Sequence, residues 1–162
     1  MQPSRFGAGK LAPLFTEYWT FDPSWLLYVK NTWKGLGRVE QIKTETKESL
    51  EFKERAKQAF LSRDIQFRLI KTYLSVQKPN IGSGYDEQYP HIHYPLDATT
   101  LVHYLQPGDI PAPLDIFDGD EVVQTIIPER GLTVFIPNCV KHGVMKNQGK
   151  EDRIQLIATA LR

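Results

Sequence analysis

Three histidines in this sequence have the residue type and spacing of a metal site. His91 and His93 flank Ile92, so an extended segment would place both imidazoles on one face and the isoleucine on the other. Two imidazoles on one face of a strand suit a first-row transition metal. His142 follows the apolar run 132–136 and could bring a third imidazole from elsewhere in the sheet. An H-x-H pair alone is a weak signal, because structural histidines often produce one, and the third histidine strengthens it.

Arg153 adds an anion-binding group to this set. Ten residues separate it from His142, and it begins the last predicted strand. Its guanidinium could bind a carboxylate through two parallel hydrogen bonds inside a barrel. A metal and a buried arginine together suit a keto acid that chelates the metal and presents its far carboxylate to the arginine. The alternative is a surface charge that continues the run Lys150-Glu151-Asp152, and the histidines favour the buried role.

The fourth histidine and the single cysteine are expected to be structural. His103 lies within a predicted strand, where it would be a packing residue or a neighbour of the metal ligands. Cys139 lies in the apolar run 134–140 and is expected to be a buried, inert thiol. A single cysteine also excludes an intrachain disulfide framework.

Short strands are the elements that must position these groups. Turn residues separate six predicted strands, at 67–77, 99–106, 113–117, 121–127, 132–136 and 153–161. Whether 89–95 and 142–147 also form a strand is left open. Seven or eight short strands after one helix predict a mainly β protein, an antiparallel sandwich or jelly roll.

The part before the strands divides into an arm and a helix. Residues 1–43 are rich in aromatic side chains and irregular in pattern, and we interpret them as a cover for one face of the core. The alternative is an arm that contacts another copy of the chain or an assembly partner. A helix is predicted over 44–63, capped by Thr44 or Thr46. Its buried stripe would be Phe52, Ala56, Ala59 and Phe60. The 162 residues fit a single domain, with 44–162 forming the helix and the jelly-roll core.

The charge balance limits the classes of partner. Twenty Lys and Arg residues nearly match nineteen Asp and Glu residues. No overall field therefore attracts nucleic acid or an anionic membrane, and no stretch is long and apolar enough to span a bilayer. A soluble chain in the cytoplasm is expected, or one associated with a virion if the source is viral.

The order of the motifs from residue 73 to 161 resembles the double-stranded β-helix core of prolyl-hydroxylase-like 2-oxoglutarate/iron(II) oxygenases. That family runs from a tyrosine strand through a glycine-containing loop, an H-x-D pair, a strand ending in Tyr-Leu and a Pro-x-x-Gly turn to a distal histidine and an arginine. This chain supplies, in that order, Tyr73, the loop 80–85, His91 with His93, Tyr104-Leu105, Pro128 to Gly131, His142 and Arg153. The match covers just over half of the chain, and the ordered set is far more specific than any single motif.

The resemblance implies a jelly roll, or cupin-like double-stranded β-helix, with one supporting helix before it. It implies Fe(II) as the metal, with His91 and His142 as ligands and His93 at the third position. The 2-oxoglutarate co-substrate would be bound by Arg153, Tyr73 and Tyr104.

The substrate is also inferred only from the resemblance. The loop 80–90 lies next to His91 and would cover the substrate as a lid. A peptide or protein side chain, proline included, is the substrate class that the family suggests.

One position departs from the family pattern. His93 stands where the family has a carboxylate, which lowers the net charge at the metal. Asp97 would need the chain to loop back in order to substitute. The site is then a working three-histidine variant, as in three-histidine cupins, or one that has lost its activity.

Three functions therefore remain open at the level of the sequence. The leading one is a 2-oxoglutarate- and Fe(II)-dependent hydroxylase. The second is a non-catalytic jelly-roll assembly protein, for example a phage component, with a vestigial site. The third is a cupin-type metalloenzyme that does not use 2-oxoglutarate, against which Arg153 argues.

Overall fold

A computed structural model describes residues 5–6, 10–11, 13–35, 38–79, 85 and 90–162, which form a mainly β protein. In these ranges the helices are α1 (Ser24–Thr32) and α2 (Lys47–Ser62). The strands are β1 (Arg5–Phe6), β2 (Lys10–Leu11), β3 (Thr16–Tyr18), β4 (Val39–Gln41), β5 (Leu69–Gln77), β6 (Thr99–Gln106), β7 (Leu114–Asp118), β8 (Glu121–Ile126), β9 (Leu132–Pro137), β10 (His142–Val144) and β11 (Arg153–Leu161).

Two antiparallel sheets form the jelly roll. The larger sheet has the strand order β3-β9-β6-β11-β5-β4, and the smaller one has the order β10-β7-β8. In the larger sheet, β11 pairs with β5 along its whole length, from Arg153 opposite Gln77 to Leu161 opposite Leu69. The fold class predicted from the sequence is confirmed, and so are the six predicted strands, with ends that shift by at most two residues.

The two faces of the larger sheet bury different side chains because side chains alternate along a strand. On β11, Ile154, Leu156, Ala158 and Ala160 pack against the helices in the main hydrophobic core. The alternate residues of the same strand face the smaller sheet, and a second apolar cluster fills part of that space, with Ile116 and Val134 among its members. The space between the two sheets is where the candidate site lies.

Helix α2 supports the outer face of the larger sheet. Thr46 is its N-cap, because the Thr46 hydroxyl accepts from the Ser49 backbone N–H while the Ser49 hydroxyl accepts from the Thr46 backbone N–H. The predicted stripe is buried in the main core: Phe52, Ala56, Ala59 and Phe60. The helix therefore begins three residues later than predicted and uses the second of the two candidate caps.

The segment 1–43 contains more regular structure than its pattern suggested. The sequence predicts one helix in the chain, and helix α1 is a second one, within the region interpreted as irregular. Trp25 and Tyr28 lie three residues apart and Val29 follows, so one face of α1 is apolar and buried. Helix α1 is short and carries bulky aromatic side chains, so its periodicity is hard to recognise in the sequence. Trp19 and Trp25 pack in the main core, whereas Tyr18 is exposed on β3.

None of the helices described is long and apolar enough to cross a membrane.

Candidate functional site

The backbone brings the three predicted histidines to one place between the sheets. His91 and His142 form an isolated antiparallel bridge in which each backbone N–H donates to the other residue's carbonyl, at 2.9 and 3.0 Å. His142 opens β10, which pairs with β7. The His93 N–H donates to the carbonyl of Asn138, just beyond β9. Long-range backbone bonds therefore fix all three residues, and residues 90–95, the described part of the segment 89–95, contribute a bridge rather than a full strand.

The imidazoles of His91 and His93 lie together, as their alternation predicted, and that of His142 joins them. One ring nitrogen from each histidine lies within 4.8 Å of the others, and His93 Nε2 lies 3.2 Å from His142 Nε2. Two nitrogens bound to one ion at about 2.1 Å are separated by roughly 3.0–3.4 Å in octahedral or tetrahedral geometry. The spacing of this pair thus fits ligands of a single metal ion.

The protonation state also fits a metal. Burial lowers the pKa of His142 to about 4, against a smaller opposing effect of the Val140 carbonyl. Burial, and then the neighbouring His91, lower the pKa of His93. Both rings are therefore neutral at pH 7, the form that binds metals. The Nδ1 of His142 lies 2.9 Å from the Val140 carbonyl, so it carries the proton there and leaves the Nε2 lone pair facing the cluster.

A cavity of about 500 Å³ adjoins the cluster and extends between the two sheets. Its wall includes polar side chains from β5, β6 and β11 and apolar side chains from both sheets. Asp97 is exposed and is not part of the histidine group. The carboxylate that would complete the family pattern is therefore not supplied from that position.

Arg153 lies at the far end of this space. Arg153 is on the same face of β11 as Gln155 and Ile157, which line the cavity. It is completely buried, however, and does not itself line the cavity. Its Nη1 donates to the carbonyl of Met145, three residues after His142, at 3.3 Å. The surface position considered as an alternative is wrong.

Both predicted tyrosines line the cavity. Tyr104 is 1 % exposed, and its burial raises the pKa of its hydroxyl to about 12 although the charge of Arg153 acts in the opposite direction. It is therefore a neutral hydrogen-bonding group close to the arginine. Tyr73 projects from β5 into the same space and is half-buried.

Sequence reasoning missed most of the polar wall. Lys71, Ser75 and Gln77 share the cavity face of β5 with Tyr73, and Gln155 lies beside Ser75 on the neighbouring strand β11. A signal was available, because residues 71, 73, 75 and 77 are all polar at a spacing of two, whereas the residues between and before them in β5 are apolar except for Thr72.

The other residues to which the sequence gave a possible role are not part of the histidine group. His103 is on the opposite face of β6, stacked on Trp19 and hydrogen-bonded through Nδ1 to the Thr133 hydroxyl at 2.8 Å, which makes it a packing residue. Cys139 is half-buried rather than buried. The predicted lid 80–90 lies outside the described residues except for Tyr85 and Pro90.

The fold is shared with several known structures. A prolyl-4-hydroxylase from Pseudomonas putida matches with a TM-score of 0.51 and 18% identity over 76% of this chain and 71% of that one. A collagen prolyl hydroxylase of Paramecium Bursaria Chlorella virus-1 matches with a TM-score of 0.56 and 12% identity, covering 85% and 82%. HygX from Streptomyces hygroscopicus, solved with nickel and 2-oxoglutarate bound, matches with a TM-score of 0.58 and 12% identity, covering 91% and 82%.

These likenesses show the jelly-roll fold of the oxygenases and no more, because the identities are low. No protein-family model matches the sequence, and no curated protein is detectably similar to it. The geometry of the site must therefore carry the assignment of function.

Proposed function

We propose that the chain is a 2-oxoglutarate- and Fe(II)-dependent oxygenase that hydroxylates a C–H bond. The observation that carries the proposal is the convergence of three imidazoles beside a cavity, with a buried arginine paired with Gln77 at one end of the cavity lining. Similarity of fold to HygX and to two prolyl hydroxylases supports it.

The histidines would hold the metal. His91, His93 and His142 would supply three nitrogens, and the bond from His142 Nδ1 to Val140 would fix the ring orientation. Fe(II) bound there would supply the oxidative chemistry together with 2-oxoglutarate and O₂. Three neutral ligands leave the full ionic charge at the site, which favours the binding of a dianionic co-substrate.

The far end of the cavity would bind the distal carboxylate of 2-oxoglutarate. Arg153 would pair with that carboxylate, and the neutral Tyr104 hydroxyl would donate to it. Tyr73 would donate to the same co-substrate from β5. The apolar residues Leu114, Ile136 and Val144 line the same cavity and would limit its water content.

The prolyl hydroxylases among the structural neighbours make a peptidyl or prolyl group one candidate substrate. The aromatic arm would serve as a cover of the core or as a contact with a second copy of the chain. The whole chain would then act as one domain.

Anaerobic titration tests the proposal directly. Fe(II) and 2-oxoglutarate added to the wild-type protein should give the weak visible charge-transfer band of a chelate, and His142→Ala should not. His103→Asn is the matched control, because His103 lies on the opposite face of β6 and asparagine retains a group near Thr133. No band in the wild type, with His142→Ala indistinguishable from it, would contradict the proposal.

A specific observation favours a second candidate, a non-catalytic jelly roll with a vestigial site. His93 stands where a carboxylate is expected, and no carboxylate of the described residues joins the histidine group. Metal binding without O₂-dependent conversion of 2-oxoglutarate to succinate, when the band is present, would support this candidate.

A further inference from the structure

The outer face of the smaller sheet has a close contact on the side of β10 opposite the cavity. His142 and Val144 line the cavity, so Gly143 between them faces the other way. Pro90 and Tyr85 lie against this glycine. A Cβ on Gly143 would be 3.1 Å from Pro90 Cγ and 3.1 Å from Tyr85 Cδ1. The absence of a side chain at this position therefore allows both rings to approach the backbone of β10.

Tyr85 is fixed in this position by the neighbouring strands. Asp115 of β7 pairs with Gly143, so its side chain is on the same outer face. The Tyr85 hydroxyl donates to Asp115 Oδ2 at 2.9 Å, and the Thr125 hydroxyl donates to Asp115 Oδ1 at 2.8 Å. The Tyr85 ring also meets the Phe117 ring edge to face, with centroids 6.0 Å apart. We call Tyr85, Asp115 and Gly143 the outer cluster.

The outer cluster and the histidine cluster share two backbone segments. Pro90, which lies against Gly143, directly precedes His91, and Gly143 directly follows His142. The backbones of these two histidines exchange hydrogen bonds of 2.9 and 3.0 Å across their bridge. The contacts on the outer face therefore hold the segment that carries His91 against β10.

The other two histidines are positioned differently. His142 lies within β10, which pairs with β7, and the His93 N–H donates to the carbonyl of Asn138 next to β9. His91 lies in an isolated bridge outside the named strands. Of the three histidines, His91 is thus the one whose position relies most on the outer cluster.

The position of His91 before the metal arrives affects metal affinity. The apparent dissociation constant of the metal rises in inverse proportion to the fraction of molecules in which the ligand is in place. If the segment separated from β10, His91 would leave the cluster and two histidines would remain. Contacts that prevent this separation raise the affinity without touching the metal.

We propose that the outer cluster positions His91 for metal binding from the face opposite the cavity. The inference rests on the proposed function for the metal site, but it does not depend on 2-oxoglutarate. Tyr85 and Asp115 are positioning residues, because neither of them lines the cavity. Since coupling between two sites is reciprocal, a bound metal should stabilise the contacts of the outer cluster by the same factor.

Metal affinity tests this coupling. Tyr85→Phe keeps the ring but removes the hydrogen bond to Asp115, and Fe(II) affinity should fall about tenfold, because a bond to a charged acceptor is lost. Gly143→Ala should weaken binding at least as much, because its methyl group would displace both rings. Tyr18→Phe is the matched control: it removes a 2.7 Å bond from a tyrosine hydroxyl to Glu129 and should leave the affinity unchanged. Anaerobic competition with a chelator measures all four proteins.

Hydrogen exchange of single amides, followed by NMR in the metal-free protein, distinguishes positioning from general stabilisation. The His91 and His142 amides donate across the bridge and should lose their protection in Tyr85→Phe, because the segment is then mostly separated from β10. The His93 amide and the amides of β11 should keep their wild-type rates. Addition of Zn(II) should restore the protection of the two bridge amides.

The outcomes separate this inference from the proposed function. Wild-type affinity in both Tyr85→Phe and Gly143→Ala would overturn it, and so would a loss of affinity in Tyr85→Phe while the His91 amide stays protected. Faster exchange throughout both sheets would show a general structural role and overturn it as well. A wild type that binds neither Fe(II) nor Zn(II) would overturn it together with the metal site. Fe(II) binding that depends on Tyr85, without the Fe(II)–2-oxoglutarate band, would support the inference and contradict the proposed function alone.

Discussion

His93 Nε2 lies 3.2 Å from His142 Nε2, although the two residues are 49 positions apart in the chain. Two imidazole nitrogens at this distance share a hydrogen bond whose direction depends on the tautomer, and a metal ion bound by both nitrogens would take the place of its proton. The pair therefore decides whether the site has three ligands or two.

Replacement of His93 tests whether it is a ligand. His93→Ala should weaken Fe(II) binding by more than the roughly 10–100-fold that loss of an outer hydrogen bond usually costs, because a direct ligand is removed. His93→Asp should retain binding, since it restores a charged oxygen ligand at the same position. Fe(II) affinity measured by anaerobic competition with a chelator checks both. Wild-type affinity in His93→Ala would show that His93 does not ligate.

Replacement of Arg153 should separate the binding of co-substrate from that of metal. Arg153→Met keeps much of the buried volume but removes the charge, so 2-oxoglutarate affinity should fall by at least about 30-fold, or ~2 kcal/mol. Fe(II) affinity should stay close to that of the wild type, because no ligand is changed. The intensity of the chelate band against 2-oxoglutarate concentration gives the first value, and chelator competition gives the second. Arg130→Met, in an exposed turn, is the control.

The buried His103 should make stability depend on pH. Burial, and then the charge of Arg55, lower its pKa from the ordinary 6.5 to about 4. Between these values the unfolded chain binds a proton that the folded protein does not, so stability is greatest above about pH 6.5 and falls as the pH approaches 4. His103 alone contributes up to about 3 kcal/mol to this change in the free energy of unfolding. Urea unfolding of the metal-free protein should show that the free energy of unfolding falls less between pH 6.5 and pH 4 in His103→Asn than in the wild type. An identical pH dependence in the two proteins would refute the prediction.

Gly131 should tolerate a methyl group far less well than Gly119. Both have positive φ, +88° and +65°, and so share the strain that any L side chain meets there. A Cβ on Gly131 would also lie 2.7 Å from the Trp19 carbonyl oxygen, whereas nothing lies within 4 Å of one on Gly119. Gly119→Ala should cost about 1 kcal/mol and Gly131→Ala about 2–3 kcal/mol. Thermal unfolding of the two variants measures the difference.

The N-cap of α2 should reside in Thr46 alone. Thr46→Ala removes the capping box with Ser49 and should cost about 1 kcal/mol, which corresponds to roughly 2–4 °C in Tm for a protein of this size. Thr44→Ala should have little effect, because Thr44 contributes its backbone carbonyl, which accepts from the Ser49 hydroxyl. Equal losses in the two variants would contradict this assignment of the cap.

The sequence by itself determined the class of fold and the identity of the candidate ligands. Alternation in β6 and β11 and the turns between strands are local properties, so their ends were predicted to within two residues. The pair His91 and His93 followed from the same alternation. Helix α1 was missed because it has only nine residues and its apolar side chains run consecutively over 25–29, which gives a weak helical period.

Only the tertiary structure decided which of these groups meet. The bridge between His91 and His142, the burial of Arg153 and the position of Lys71 in the cavity wall depend on strand register, which pairs residues far apart in sequence. A shift of one residue would turn each side chain to the other face of its sheet. The register of β5 against β11 thus determines that the polar side chains from Lys71 to Gln77 form one wall of the cavity.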